Sequence, residues 1–81
     1  MVPRRYVIYE TTDGPFALRE DRWVLVVDKD SWTVEHEWAS RRSRRQVVPN
    51  IGMEVLSVEG FQKSNAPTQA LANLYELMAT V

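Results

Sequence analysis

The chain has no cysteine, one histidine, three glycines and no long apolar run. Without cysteine it forms no disulfide and no thiolate metal site. With His36 as the only imidazole, a structural metal centre would have to be almost all carboxylate. The longest uninterrupted apolar stretch, Trp23 to Val27, falls far short of the roughly 20 residues of a membrane helix. Arg4 and Arg5 before Tyr6-Val7-Ile8-Tyr9 resemble the start of a signal peptide, but Glu10 ends the run before the roughly 7–15 apolar residues an h-region needs. These absences give the expectation of a soluble, cytoplasmic chain with no membrane partner, no metal and no cofactor.

What is present is 81 residues, 44% hydrophobic and 26% charged, which is the composition of one globular domain. A domain this small buries only a little over half of the surface its unfolded chain exposes. With disulfides and thiolate metal sites excluded, oligomerisation is the reinforcement that remains. The net charge of −1 conceals an uneven distribution: residues 1–40 carry five basic and eight acidic side chains, residues 41–50 four arginines, and residues 51–81 one lysine and three glutamates. One basic island sits in an acidic chain.

Periodicity divides the chain near residue 40. Before it, aromatic and β-branched residues cluster between Thr12-Asp13-Gly14-Pro15, Arg19-Glu20-Asp21-Arg22 and Asp28-Lys29-Asp30-Ser31, a pattern that predicts an antiparallel meander over about 4–40. A tight turn at Asp13-Gly14 sets Tyr9 opposite Leu18 and Thr11 opposite Phe16. A turn at Glu20-Asp21 sets Leu18 opposite Trp23 and Phe16 opposite Leu25. A turn at Lys29-Asp30 sets Val27 opposite Trp32, Leu25 opposite Val34, Trp23 opposite His36 and Arg22 opposite Glu37. Together these registers place Val7, Tyr9, Phe16, Leu18, Trp23, Leu25, Val27, Trp32, Val34, His36 and Trp38 on one face. Pro15 cannot donate to a ladder and marks that hairpin as wide or at an edge.

After residue 65 the period becomes helical. Ser64 and Asn65 offer capping oxygens, Pro67 suits the first helical position, and Ala70, Leu71, Leu74, Leu77, Met78 and Val81 form one apolar stripe. Residues 41–56 read as a basic turn and loop, and 57–81 as a helical region. Within it, Ser57 is placed to cap a short helix through Val58-Glu59-Gly60-Phe61-Gln62-Lys63. Met53 to Val58 also has the alternation of a strand, and interior Gly60 costs a helix about 1 kcal/mol. The expected fold is therefore α+β: a four-stranded antiparallel meander with a C-terminal helix across its aromatic face and a short helix before it.

Several clusters bear on function. Arg41, Arg42, Arg44 and Arg45 follow Trp38, and arginine forks bind phosphate oxygens bidentately, so nucleic acid is one partner this loop would suit. Four arginines in a chain of pI 5.7 fall short of a dedicated basic face, and a solvated loop or an acidic protein partner suits them better. His36 lies between Glu35 and Glu37 in sequence, but in a strand both glutamates point to the opposite face, leaving the imidazole against Trp23. A catalytic partner would have to come from elsewhere, such as Ser57, Ser64 or Glu76. No glycine-rich phosphate loop or nucleophile elbow occurs, and no catalytic residue is assigned. Asp28-Lys29-Asp30-Ser31 resembles the start of a calcium loop but lacks its glycine and terminal glutamate, so it reads as a hairpin turn. Trp23, Trp32 and Trp38 at strand spacing read as core rather than as a ligand cage.

The opposite sheet face would present Ile8, Val24 and Val26 within a rim of charge. Leaving three such side chains wet forgoes roughly 1.5–3 kcal/mol each in a fold with little stability to spare. Either residues 46–58, with Val47, Val48, Ile51 and Met53, fold beneath the sheet, or a second chain covers the patch. The functional expectation is a non-catalytic interaction module, homodimeric or bound to a protein partner through this face or an edge strand. The alternative is a nucleic-acid-associated accessory protein acting through the arginine loop.

Overall fold

A computed structural model describes residues 2–13, 18–29, 31–43 and 45–80. The fold is α+β: β1 (Arg4–Asp13), β2 (Arg19–Val27), β3 (Trp32–Ser40) and β4 (Asn50–Ser57) form one open antiparallel sheet in that order, followed by α1 (Val58–Lys63) and α2 (Thr68–Thr80). The hairpin between β2 and β3 has the register expected from its turn, with Val27 opposite Trp32, Leu25 opposite Val34, Trp23 opposite His36 and Arg22 opposite Glu37.

Elsewhere the registers differ from expectation. Arg19-Glu20-Asp21-Arg22 is the beginning of β2 rather than a turn, and three of its four charges, Arg19, Asp21 and Arg22, are satisfied by neighbouring side chains. Arg22 bonds Glu10 of β1, and Asp21 lies against His36 of β3. Tyr9 consequently faces Trp23 rather than Leu18, and Thr11 faces Asp21 rather than Phe16. Phe16, with the rest of 14–17, and Asp30 and Arg44 lie outside the described residues.

The second difference is a bulge between Val7 and Tyr9, where Ile8 is the unpaired extra residue. One added residue reverses the facing of everything beyond it. Tyr6, Ile8 and Tyr9 therefore all join the core, while Val7 turns outward and is exposed. The third difference is β4. Residues 50–56 read as loop in the sequence, with a strand over Met53 to Val58 as the alternative; Asn50–Ser57 instead pairs along β3 with Leu56 opposite Val34 and Gly52 opposite Trp38.

Both helices lie on one face of the sheet. Ser57 caps α1 as expected, its Oγ accepting from the Gly60 amide at 2.9 Å. Lys63 meets Glu59 one turn back. Ser64 serves as the C-cap of α1, its hydroxyl donating to the Phe61 carbonyl, rather than starting the next helix. The first intrahelical bond of α2 goes from Leu71 N–H to the Pro67 carbonyl. Phe61, Ala70 and Leu74 are fully buried against Ile8, Trp23, Leu25 and Val34, with Leu71 and Leu77 beside them. Asn73 donates to the Ile8 carbonyl at 2.8 Å, satisfying the backbone that the bulge removes from the ladder.

This core occupies one end of the sheet and stops at Tyr9 and Trp23. The radius of gyration is 14.0 Å and the longest dimension 43 Å, against roughly 12 Å for a close-packed domain of this length. The far end of the sheet, around Asp13, Arg19, Ser40 and Asn50, projects past the core cluster.

Candidate functional site

The projecting end carries different chemistry on its two faces. On the helix-side face, His36 is stacked on Trp23, with ring centroids 4.6 Å apart and planes 8° from parallel. Trp38 closes its other flank at 5.0 Å. Nε2 lies 2.9 Å from Asp21 Oδ2 and Nδ1 lies 3.2 Å from Glu54 Oε1, so one imidazole ties β2 and β4 together across β3. A neutral ring has one N–H and satisfies one carboxylate; the doubly protonated ring satisfies both. Burial acts to raise the Asp21 carboxyl, but the hydrogen bonds from Arg19 and His36 outweigh it and hold the group below the ordinary carboxylate range. With both ring nitrogens facing carboxylates, the imidazole has no lone pair directed at a substrate. Among the described residues no cluster of three or more His, Asp or Glu side chains is arranged to hold a metal.

Trp38 reaches this position because its partner across the ladder is Gly52. A Cβ at Gly52 would lie 2.3 Å from the indole, so the ring packs on bare backbone. That close approach is the structural reason for glycine in β4.

The outer face is built differently. Arg5 on β1 bonds Glu35 on β3 and lies 3.6 Å from Glu37, so its side chain crosses β2. The crossing falls over Val24 and Val26, since Arg5 is opposite Val26 and Glu35 opposite Val24. Val24 is only 3% exposed as a result, covered by an aliphatic stem whose charge is neutralised at its tip. Of the three residues expected to form an open patch, Ile8 is corrected to the core and Val24 is already sheltered. Residues 46–58 do not fold beneath the sheet; they widen it. Ile51, Met53 and Val55 form an alternating row on the outer face of β4, exposed by 77%, 57% and 56%, and Val47 and Val48 before them are also exposed.

Beside this row the outer face is hollowed into an open groove of about 770 Å³, with Glu10, Glu20 and Glu37 along it, Arg22 paired to Glu10, and Ile51 and Met53 at the β4 side. Glu20 and Ala39 also line a smaller cleft against Arg41 and Pro49, which places the arginine loop at the mouth of the groove. Hydrogen bonds hold the described residues of the loop: Arg41 N–H donates to the Leu18 carbonyl, Arg42 N–H to the Gln46 side chain, and Gln46 N–H to the Ser43 carbonyl. Arg41, Arg42 and Arg45 are exposed and make no ion pair among the described residues; Arg44 lies outside them.

Asp21, Glu54 and Gly52 are the residues that sequence reasoning missed. Asp21 was hidden by the turn-like run around it. Glu54 and Gly52 become neighbours of His36 and Trp38 only once β4 is known to pair with β3. Compared with protein-family models, curated proteins and solved structures, the chain matches none. Its class is therefore defined by the fold alone, a small α+β domain. Among the described residues no helix is long and apolar enough to cross a membrane.

Proposed function

We propose that this chain is a non-catalytic, cytoplasmic protein-interaction module that forms a homodimer through the outer face of its sheet. The observation that carries this reading is the exposed Ile51, Met53 and Val55 row on β4, an edge strand over whose outer face, among the described residues, there lies neither a helix nor a charged stem. A contiguous apolar row beside a charged groove has the composition of an interface centre and rim. Covering what is exposed contributes roughly 1–2 kcal/mol per residue, useful to a domain whose core fills one end of its sheet. The His36 cluster supports a non-catalytic reading, because both ring nitrogens are committed to carboxylates.

Sedimentation of the pure protein at micromolar concentration tests this. A concentration-dependent dimer is expected, and Val55→Lys should convert it to a monomer with unchanged secondary structure. A wild-type chain that stays monomeric at every concentration removes the reading.

The exposed arginines favour a second reading, a nucleic-acid-associated accessory role. Retention on DNA or RNA that falls steeply with salt, and is lost when Arg41, Arg42, Arg44 and Arg45 become Ser, would support it. The acidic groove beside the loop works against it.

A further inference from the structure

Self-association through an apolar row leaves open what fixes the relative orientation of the chains. An apolar contact is not directional, whereas charge arrangement sets register and excludes wrong partners. The outer face carries two features of opposite sign. One is the groove, where Glu20 has no ion-pair partner among the described residues and where the carboxylates of Glu10, Glu20 and Glu37 outnumber the one lining guanidinium, Arg22, which is paired with Glu10, while Arg5 lies 3.6 Å from Glu37. The other is the loop after β3, braced by Gln46 so that Arg41, Arg42 and Arg45 stand exposed. Within one chain they lie side by side without bonding. Residues already held by hydrogen bonds, as Arg42 and Gln46 are, lose little freedom on docking.

We propose that the second copy of this chain supplies the missing partners: Arg41, Arg42 and Arg45 of each chain dock in the acidic groove of the other. This rests on the homodimer reading and adds its geometry. The cross-strand rows of the outer face fix the levels: Val7, Val24, Glu35 and Val55 share one, Glu10, Arg22, Glu37 and Met53 the next, and Thr12, Glu20, Ala39 and Ile51 the last before the loop. A two-fold axis between the outer faces and parallel to the strands preserves these levels and reverses strand order. It lays β4 of one chain over β1 of the other. Val55 then meets Val7 of the partner subunit, two exposed valines at the same level. The loop joining β3 to β4 arrives over the β1–β2 end of the opposite groove, where Glu10 and Glu20 stand. Each contact occurs twice by symmetry, and the interface closes on itself.

Charge exchange of this kind has a diagnostic pair of variants. R41E/R42E/R45E places acids in an acidic groove when it meets itself, and E10K/E20K places arginines in a basic one. Each alone should self-associate about tenfold or more weakly than wild type. In an equimolar mixture, acidic loop meets basic groove and basic loop meets acidic groove, so both contacts of the heterodimer are matched. The mixture should recover association to within a few-fold of wild type by sedimentation, and the wild-type dimer should weaken between roughly 50 and 500 mM salt. Far-UV circular dichroism of each variant checks folding, and R41S/R42S/R45S gives a milder loss with a flattened salt dependence. A mixture no tighter than its components, in a protein that dimerises and responds to Val55→Lys, overturns the charge exchange and leaves the dimer standing. A monomeric wild type overturns both.

Discussion

β1 and β4 both terminate the sheet, yet β1 carries a bulge at Ile8, charged Arg4, Arg5 and Glu10, and α2 packed along it, whereas β4 runs unbulged with Ile51, Met53 and Val55 open to water. Bulges, charges and covering elements are the devices that keep an edge strand from pairing with another chain. Their concentration on β1 indicates that unguarded edges are not the habit of this fold. The one charged side chain of β4, Glu54, is turned to the other face and engaged by His36. β4 is therefore held in place from the helix side and left bare on the outer side, the feature on which the proposed self-association rests.

This contrast can be broken first at Gly52. Gly52→Val forces the Trp38 indole off the backbone of β4 and should destabilise the domain by about 1–3 kcal/mol, the range for overpacking. Thermal melting measures the loss, and a red-shifted tryptophan emission should accompany it; unchanged melting and emission would mean that Trp38 does not depend on the glycine. The guarded edge can be weakened through Asn73→Ala, which leaves the Ile8 carbonyl without its donor at a cost of about 1–2 kcal/mol. Amide exchange should then accelerate along β1 while β4 is unaffected. Equal acceleration in both edges would show that the bulge is not separately secured.

The smallest effect concerns the tie that holds β4 through His36. The carboxyl of Asp21 is lowered on folding, so it contributes stability above its unfolded value and loses that contribution as pH falls through the lowered folded one. Stability of the wild type should therefore decline below about pH 4, and Asp21→Asn should flatten that decline by less than about 1 kcal/mol. Identical acid profiles in the two proteins would remove Asp21 from the account.

The legibility of the sequence follows the same division. The β2–β3 register could be read because Asp28 to Ser31 permits one short turn and both flanking strands alternate cleanly. α2 could be read from its stripe. β1 could not be placed in register, since a bulge is a single-residue decision: Tyr6-Val7-Ile8-Tyr9 is apolar throughout and marks neither face. β4 was obscured by Gly52 and Glu54, residues that disfavour a strand in isolation. Gly52 is required by Trp38, fourteen positions earlier, and Glu54 by His36, eighteen earlier. Those long-range pairings also assemble the His36 cluster, so fold and site became obscure together.

The placement of the indoles also makes this protein its own gauge. Trp23 and Trp38 flank the single imidazole at the projecting end of the sheet, while Trp32 sits beside the helices. Two of three intrinsic fluorophores thus weight the emission toward the His36 end, whereas ellipticity at helical wavelengths weights α1 and α2. Superposition of the two signals during unfolding measures how tightly the ends are coupled. The separation between them, if the imidazole end opens first, is a direct reading of local cooperativity without any introduced label.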